Sequence, residues 1–483
     1  MAVPGSEKRL AAGCAGGMAL ASAGSWLRFW LEGTLRLDTH TTPFVVACGV
    51  SGLGLIVSGA CALRLAPRAG RLPWPSLWRW TIVTHALAAL GLALTSNDVF
   101  TYLTFGALRR AGLSPYQHVP GDLAGSPLLP LASDRWAHVA SPYGPLFHPI
   151  AAAAAWAGDR LGSPVWGSFY AFKAIVVAAV LGALAVAARH LRAWRPEAAR
   201  EIWVPLALGP VVAWEVSAQG HNDGLLLLAV VLFLVAAAAS REAPATVALA
   251  AGVAIKYPVA PLLGLYLLLV ARRSLLRAAV LALLGAAVLV AAFAPEWGTV
   301  TLRSVTPMLG GEATRHAHSL TDLICLGLDL LGRPEASAIA YRVLSRASAL
   351  VCAAALFGAA WTARSLAALA RGYLCFLFAL FLTAPWFQPW YVLWALPFAL
   401  VEEDPRWRRL VAQFTIASVA LWAVPLDPIT TVLVDAWAAL RLWTLRRRPA
   451  PALAEPAASD PARYRTVSAV VRAARDATRD ENV

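Results

Sequence analysis

The sequence is short of charge. Of its 483 residues only 14% are Asp, Glu, Lys or Arg, against 59% hydrophobic, and the mean hydropathy is +0.62. So little charge beside so much apolar sequence excludes a soluble enzyme and leaves a polytopic membrane protein. Acid is scarcer than base: 27 Asp+Glu against 41 Lys+Arg, a net charge of +14. The excess gathers at Arg64, Arg68, Arg71 and Arg79, in 189–200, at Arg272, Arg273 and Arg277, and in 441–448. Basic residues concentrate this way in cytoplasmic loops. Aromatic and basic residues do not interleave, so no nucleic-acid partner is expected. Cysteine is sparse too. Cys14, Cys48, Cys61, Cys325, Cys352 and Cys375 lie mostly in apolar segments, with no Cys-x-x-Cys pair. They read as small apolar residues, not as a disulfide framework or a zinc site. A Walker A loop, a dinucleotide fingerprint and a His-Glu-x-x-His helix are all missing. So is an internal repeat, which weakens the case for an inverted-repeat transporter.

What is there is a series of apolar runs, near 10–30, 43–65, 78–96, 166–188, 202–219, 224–240, 278–294, 339–361, 372–385, 391–401, 410–425 and 429–443. A further run, 246–270, is interrupted at Lys256-Tyr257-Pro258 and reads as two half-helices. The fold class is all-α, a polytopic integral membrane protein of roughly 12–14 transmembrane segments. Residues 1–445 form the membrane domain, with 97–165 as its first large outer loop, and 446–483 read as a mostly disordered cytoplasmic tail. Lys8 and Arg9 precede the first run, which is expected to be an uncleaved span. The loop charges then put both termini in the cytoplasm. Asp98, the 220–224 turn, the 295–338 loop and the Pro385–Tyr391 turn fall together on the extracytoplasmic face.

The polar residues on that face are the candidates for chemistry. The stretch Ser96–Tyr116 follows an apolar run, so Asp98 sits where a membrane helix emerges into water. At 3.6 residues per turn Asp98, Tyr102 and Arg109 share one side, and Phe100, Leu103, Ala107 and Ala111 the other. That pattern predicts a short amphipathic helix on the membrane surface. Asp98 is either its cap or a base that could deprotonate a hydroxyl. Gly220-His221-Asn222-Asp223-Gly224 joins two apolar runs. It is either a capped turn or a site for sugar hydroxyls, a phosphate or a metal. Glu215 lies inside a span, where a carboxylate is costly and is a functional candidate by default. Tyr143 belongs to the rigid turn Ser141–Leu146, which punctuates a loop and could position an active-site loop. Lys256 either snorkels or meets an anion in a cavity. Arg303, Arg315, His316 and His318 form a solvated loop or hold a phosphate. Gln388, Trp390 and Tyr391 belong to an aromatic belt, or to faces that pack on a sugar ring or prenyl chain.

Taken in order, Asp98-Val99-Phe100, Tyr102, Gly106, Gly112, Pro115-Tyr116, Tyr143-Gly144-Pro145-Leu146, Gly220-His221-Asn222-Asp223, Lys256-Tyr257-Pro258 and Pro389-Trp390-Tyr391 resemble the GT-C glycosyltransferases. Within that superfamily they are most similar to the bacterial polyprenol-phosphate-mannose-dependent α-1,6-mannosyltransferase family. The resemblance covers roughly residues 80–400. It implies an all-helical membrane enzyme that uses a lipid-phosphate sugar on the outer side, with the acidic residue of the first outer loop, Asp98, as catalytic base. The expected reaction moves a sugar, mannose by resemblance, from a polyprenyl-phosphate donor to a hydroxyl of a glycan or glycolipid, with inversion. Arg315 or Lys256 would face the phosphate leaving group, and His221, Asn222 and Asp223 would hold the sugar or acceptor. Tyr102, Arg109, Tyr143, His316, His318, Gln388, Trp390 and Tyr391 complete the expected binding set. No metal or other cofactor is demanded, though Asp98 and Asp223 could share a divalent ion. The competing readings are a transporter or flippase of lipid-linked sugars, and a ligase of whole lipid-linked glycans.

Overall fold

A computed structural model describes residues 5–39, 41–134, 136–300, 319–385, 387–419 and 427–447. Residues 1–440 form one compact unit and 441–483 a second, whose described part, 441–447, ends the helix Asp427–Arg447. The regular secondary structure of the described residues is all helical, with no strand among them. Among the described residues six helices are long and apolar enough to cross a membrane: Ser6–Glu32, Thr42–Arg71, Trp166–Trp194, Leu275–Glu296, Pro334–Thr362 and Leu366–Thr383. Four shorter apolar helices accompany them, Asp223–Ala238, Glu242–Ile255, Tyr257–Ala271 and Pro389–Leu400. The protein is therefore an all-α polytopic membrane protein.

The first hairpin shows how small residues set the packing. Helix α1 (Ser6–Glu32) and helix α2 (Thr42–Leu65) meet along Gly17, Gly24, Ser51, Gly54 and Ser58. A Cβ on Gly54 would stand 2.4 Å from the Gly17 carbonyl oxygen, so only glycine lets the backbones approach this closely. The α2 N-terminus is marked by Thr41, whose side chain accepts the Phe44 N–H at 3.2 Å, and by Pro43 in the first turn.

Helix α3 (Trp74–Ala89) stops short of the apolar run that contains it, and residues 90–97 continue as a non-helical strap into helix α4 (Asp98–Arg110). Helix α4 corrects an expectation. It does not lie on a surface. Residues 99 through 106 are all buried, because α4 is packed against helix α5 (Phe147–Arg160) and helix α6 (Trp166–Trp194). Gly106 makes this possible, since a Cβ there would fall 2.4 Å from the Ala151 carbonyl carbon and oxygen. The polar stripe that implied water instead meets polar groups of the protein itself.

The 202–219 run is likewise not one helix. Helix α7 (Ala199–Ala207) ends before Gly209-Pro210, and Val212–Ala218 forms a π-helix. Helix α8 (Asp223–Ala238) follows after the 219–222 corner. The interrupted run resolves into helix α9 (Glu242–Ile255), a 3-10 turn at Tyr257–Val259 and helix α10 (Ala260–Ala271), with Lys256 in extended backbone between them. Pro258 and Pro261 explain the break, since neither can donate to a preceding turn. The 391–401 run is not a span but a pair of short 3-10 helices, Pro389–Trp394 and Leu396–Leu400, each with a proline in its first two residues.

Candidate active site

Four chain breaks converge: the strap before α4, the corner after the π-helix, the α9–α10 break and the Pro389–Trp394 turn. Each is a place where the sequence refuses a continuous helix, and each delivers one or more polar or aromatic side chains.

Asp98 opens α4. Its side chain caps nothing, and neither does that of Asn97. Instead Asp98 Oδ2 accepts the Tyr102 hydroxyl at 3.4 Å and stands 3.8 Å from His221 Nδ1. The same hydroxyl lies 3.4 Å from that nitrogen. The side chain of Asp98 keeps 17% of its surface exposed, whereas those of His221 and Glu215 keep 1%. Burial raises the Asp98 carboxyl from its ordinary 3.8 to about 6. Lys256 opposes that rise, the Asp223 charge adds to it, and hydrogen bonds from Tyr102 and Ser96 oppose it. Burial, then the nearby Lys256 charge, pushes His221 well below the usual imidazole range, so the ring is neutral at pH 7. His221 stacks on Trp390 with centroids 4.0 Å apart. Its Nε2 faces Glu215 Oε2 at 3.5 Å.

The other half of the corner is bonded more tightly. Lys256 Nζ donates to both Asp223 oxygens at 2.9 Å and to Asn222 Oδ1 at 3.3 Å. Trp394 Nε1 donates to Asp223 Oδ1 at 2.6 Å. The ammonium lies 5.6–6.0 Å from the ring centroids of Tyr143, Tyr391 and Trp394. Lys256 therefore does not snorkel; the anion it meets is the Asp223 carboxylate. With both oxygens of Asp223 so occupied, a metal shared with Asp98 would have to displace an ammonium. Asn222 precedes α8 without capping it through its side chain. Tyr143 is held by its own turn: Gly144 and Leu146 N–H groups donate to the Ile255 and Ala254 carbonyls at 3.0 and 2.9 Å. The Tyr116 hydroxyl donates to the Tyr143 carbonyl at 2.9 Å. A Cβ on Gly144 would sit 2.2 Å from the Ala254 oxygen, so that turn fits against α9 only with glycine.

Thus Asp98, Tyr102, Tyr143, His221, Asn222, Asp223, Lys256, Trp390 and Tyr391 come together. Gln388 is buried at the start of the 389–394 turn. Arg109 does not join them. It is three helical turns along α4 from Asp98, about 16 Å away. It pairs there with buried Glu296, which also accepts the Ser114 hydroxyl at 2.8 Å. Sharing a helix face fixed its direction but not its height. Arg303, Arg315, His316 and His318 lie outside the described residues. Trp394 escapes a reading of the sequence because it sits in an apolar run that looks like a span. Its spacing from Trp390, next to Pro389, is the available signal.

Glu215 adds a further sign of a site. Neither of its carboxyl oxygens has a hydrogen-bond partner among the described residues, and neither do His221 Nε2 and Asn222 Nδ2. Buried orphans are uncommon in native proteins. Four such atoms gather around His221.

Residues 8–272, more than half of the chain, match the family described as alpha-(1->6)-mannopyranosyltransferase, N-terminal domain. The chain belongs to this family. Alpha-(1->6)-mannopyranosyltransferase A of Corynebacterium glutamicum is 28% identical over 170 residues, 34% of this chain and 32% of that relative. The chain thus spans about a third of the length of the curated relative it matches. No solved structure matches it. The family match contains Asp98, Tyr102, Tyr143, the 221–223 corner and Lys256, and stops before the Pro389–Trp394 turn.

Proposed function

We propose that the protein is a membrane mannosyltransferase that moves mannose from a polyprenyl-phosphate donor to a hydroxyl of a glycan or glycolipid at the extracytoplasmic side. The single observation that carries this reading is Asp98. It is a partly exposed carboxylate with a raised proton affinity, set beside a neutral histidine and a cluster of hydrogen-bonding and aromatic groups.

The chemistry asks little of the protein. Polyprenyl phosphate is a good leaving group, so the acceptor oxygen attacks the sugar C1 directly as the C1–O bond to phosphate breaks. Asp98 accepts the acceptor's proton, and one displacement inverts the anomeric carbon. Tyr102 donates to Asp98 and keeps its free oxygen turned to the acceptor. Trp390, Tyr391 and Trp394 offer faces to a sugar ring. Asp223, Asn222 and Lys256 together present donors and acceptors suited to sugar hydroxyls. Because Lys256 is already paired with Asp223, it serves the sugar more readily than the phosphate. In this scheme Arg315 is the cation that would stabilise the departing phosphate. No step runs through a metal or other cofactor.

Replacement Asp98→Asn keeps the shape and removes the base. Transfer from polyprenyl-phosphate mannose into membranes should fall about 10²–10⁴-fold, with donor binding retained. Normal transfer by Asp98→Asn membranes would refute the assignment.

A further inference from the structure

Past Gly91 the strap has no helix or strand to satisfy its N–H groups, yet it must deliver Asp98 to 3.8 Å from His221. Buried strap groups need partners. Side chains supply them. Trp26 Nε1 donates to the Leu90 carbonyl at 2.7 Å, and Lys173 Nζ to the Gly91 carbonyl at 2.5 Å. Ser25 Oγ accepts the Leu92 N–H at 2.8 Å. Each of these three ties the strap to the helices around it. One side chain ties it to the corner instead. Gln219 Oε1 accepts the N–H groups of Leu94 and Thr95 at 2.8 and 3.0 Å, and its Nε2 donates to the Leu92 carbonyl at 3.3 Å. Gln219 is 1% exposed, and it stands two residues before His221. Next to it Gly220 has φ +78°, and a Cβ there would meet Val99 Cγ2 at 3.1 Å. The corner therefore abuts the residue that follows Asp98.

We propose that Gln219 is a positioning residue, a three-bond clamp that sets the separation between Asp98 and His221. This rests on the reading of Asp98 as the base. A primary amide suits this role, because its oxygen takes two donors while its nitrogen donates to the Leu92 carbonyl. Misplacement of a reacting group by about 1 Å can cost 10²-fold in rate, so the clamp acts on turnover rather than on donor affinity.

The test uses the full-length protein in membranes, with Gln219→Leu and Gln219→Glu beside wild type. Transfer from polyprenyl-phosphate mannose is measured against pH, and hydrogen exchange of the 90–97 peptides is followed by mass spectrometry. Gln219→Leu should lower kcat about 10–100-fold with KM nearly unchanged, and shift the acid limb of the pH profile. It should also speed exchange at Leu94 and Thr95. Gln219→Glu keeps the acceptor oxygens and should restore most of kcat and the limb. The clamp is overturned if exchange in 90–97 is unaffected by Gln219→Leu. It is also overturned if both variants lose turnover equally with the limb unmoved, which is the signature of a merely structural glutamine. If wild-type membranes transfer no mannose, the functional reading fails, while the exchange result still decides whether Gln219 fixes the strap.

Discussion

The two halves of the corner are built differently although they are adjacent in sequence. Asp223 is fully engaged, with Lys256 on both oxygens at 2.9 Å and Trp394 on one at 2.6 Å. Around His221 the contacts are looser. Tyr102 is at 3.4 Å, Asp98 at 3.8 Å and Glu215 at 3.5 Å, and several atoms lack partners among the described residues. A group locked in short charge-assisted bonds holds shape and reads a ligand's hydroxyls; it is poorly placed to accept a proton. A carboxylate with one moderate bond and some open surface is available for reaction. Under the proposed function the Asp223 half serves recognition and the Asp98 half proton transfer.

The largest blow to this division comes from cutting the tight pair. Asp223→Asn leaves the Lys256 ammonium without its counter-charge, and loss of one partner from a buried pair costs about 3–5 kcal/mol. Thermal unfolding in detergent should show a much lowered midpoint. The double replacement Asp223→Leu with Lys256→Met removes both charges, and such replacements are often near neutral for stability. It should therefore regain most of the midpoint and none of the transfer. A double variant that regains transfer as well would make the pair mere scaffolding and erase the contrast.

A smaller and more graded effect is expected with pH. A base must be unprotonated, so kcat/KM should drop about tenfold per unit below the Asp98 value near 6 and level off above it. Stability moves the other way. The folded-state value lies above the ordinary 3.8, so the folded protein holds this proton more tightly than the unfolded chain does. The stabilisation linked to that proton is complete below about pH 4 and is lost as pH rises through 6. Above pH 6 Asp98→Asn, which carries no charge to bury, should unfold at or above the wild-type temperature while being inactive. A destabilised Asp98→Asn at pH 8 would mean that the ionised carboxylate is a structural anchor, like Asp223.

How much of this was legible without coordinates differs from one residue to the next. The break at Lys256-Pro258 was readable, because a lysine and a proline inside an apolar run each oppose a continuous span. The start of α4 at Asp98 was readable, because an apolar run gives way there to polar residues that recur at helical spacing. The burial of α4 was not. Periodicity shows that one face is polar but not whether water or protein meets it, and here the partners come from α5, α6 and the 221 corner, far away along the chain. Trp394 was hidden for the opposite reason: in an apolar run a tryptophan that donates to a buried carboxylate looks like one that faces lipid. Gln219 stood next to a conspicuous His-Asn-Asp corner, and nothing local announces that a glutamine amide will clamp a strap more than a hundred residues earlier.

Arg109 gives the smallest expected effect, and it sharpens the comparison from outside. It shares a helix face with Asp98, so from sequence alone it belonged to the site. In the fold its guanidinium is committed to Glu296, whose side chain keeps 3% of its surface exposed. Arg109→Ala would leave that carboxylate with the hydroxyls of Ser114 and Thr299 and no charged partner among the described residues. Some loss of thermal stability should follow, since a buried charge that loses its partner is destabilising. Turnover should stay within about twofold of wild type, because the site lies about 16 Å along the helix. The companion Glu296→Gln keeps the hydrogen bonds and removes the charge, and should recover part of the lost stability when combined with Arg109→Ala. If Arg109→Ala instead lowered kcat as Asp98→Asn does, while leaving the unfolding midpoint intact, the arginine would belong to the proton-transfer half, and α4 would have to present both residues to one substrate.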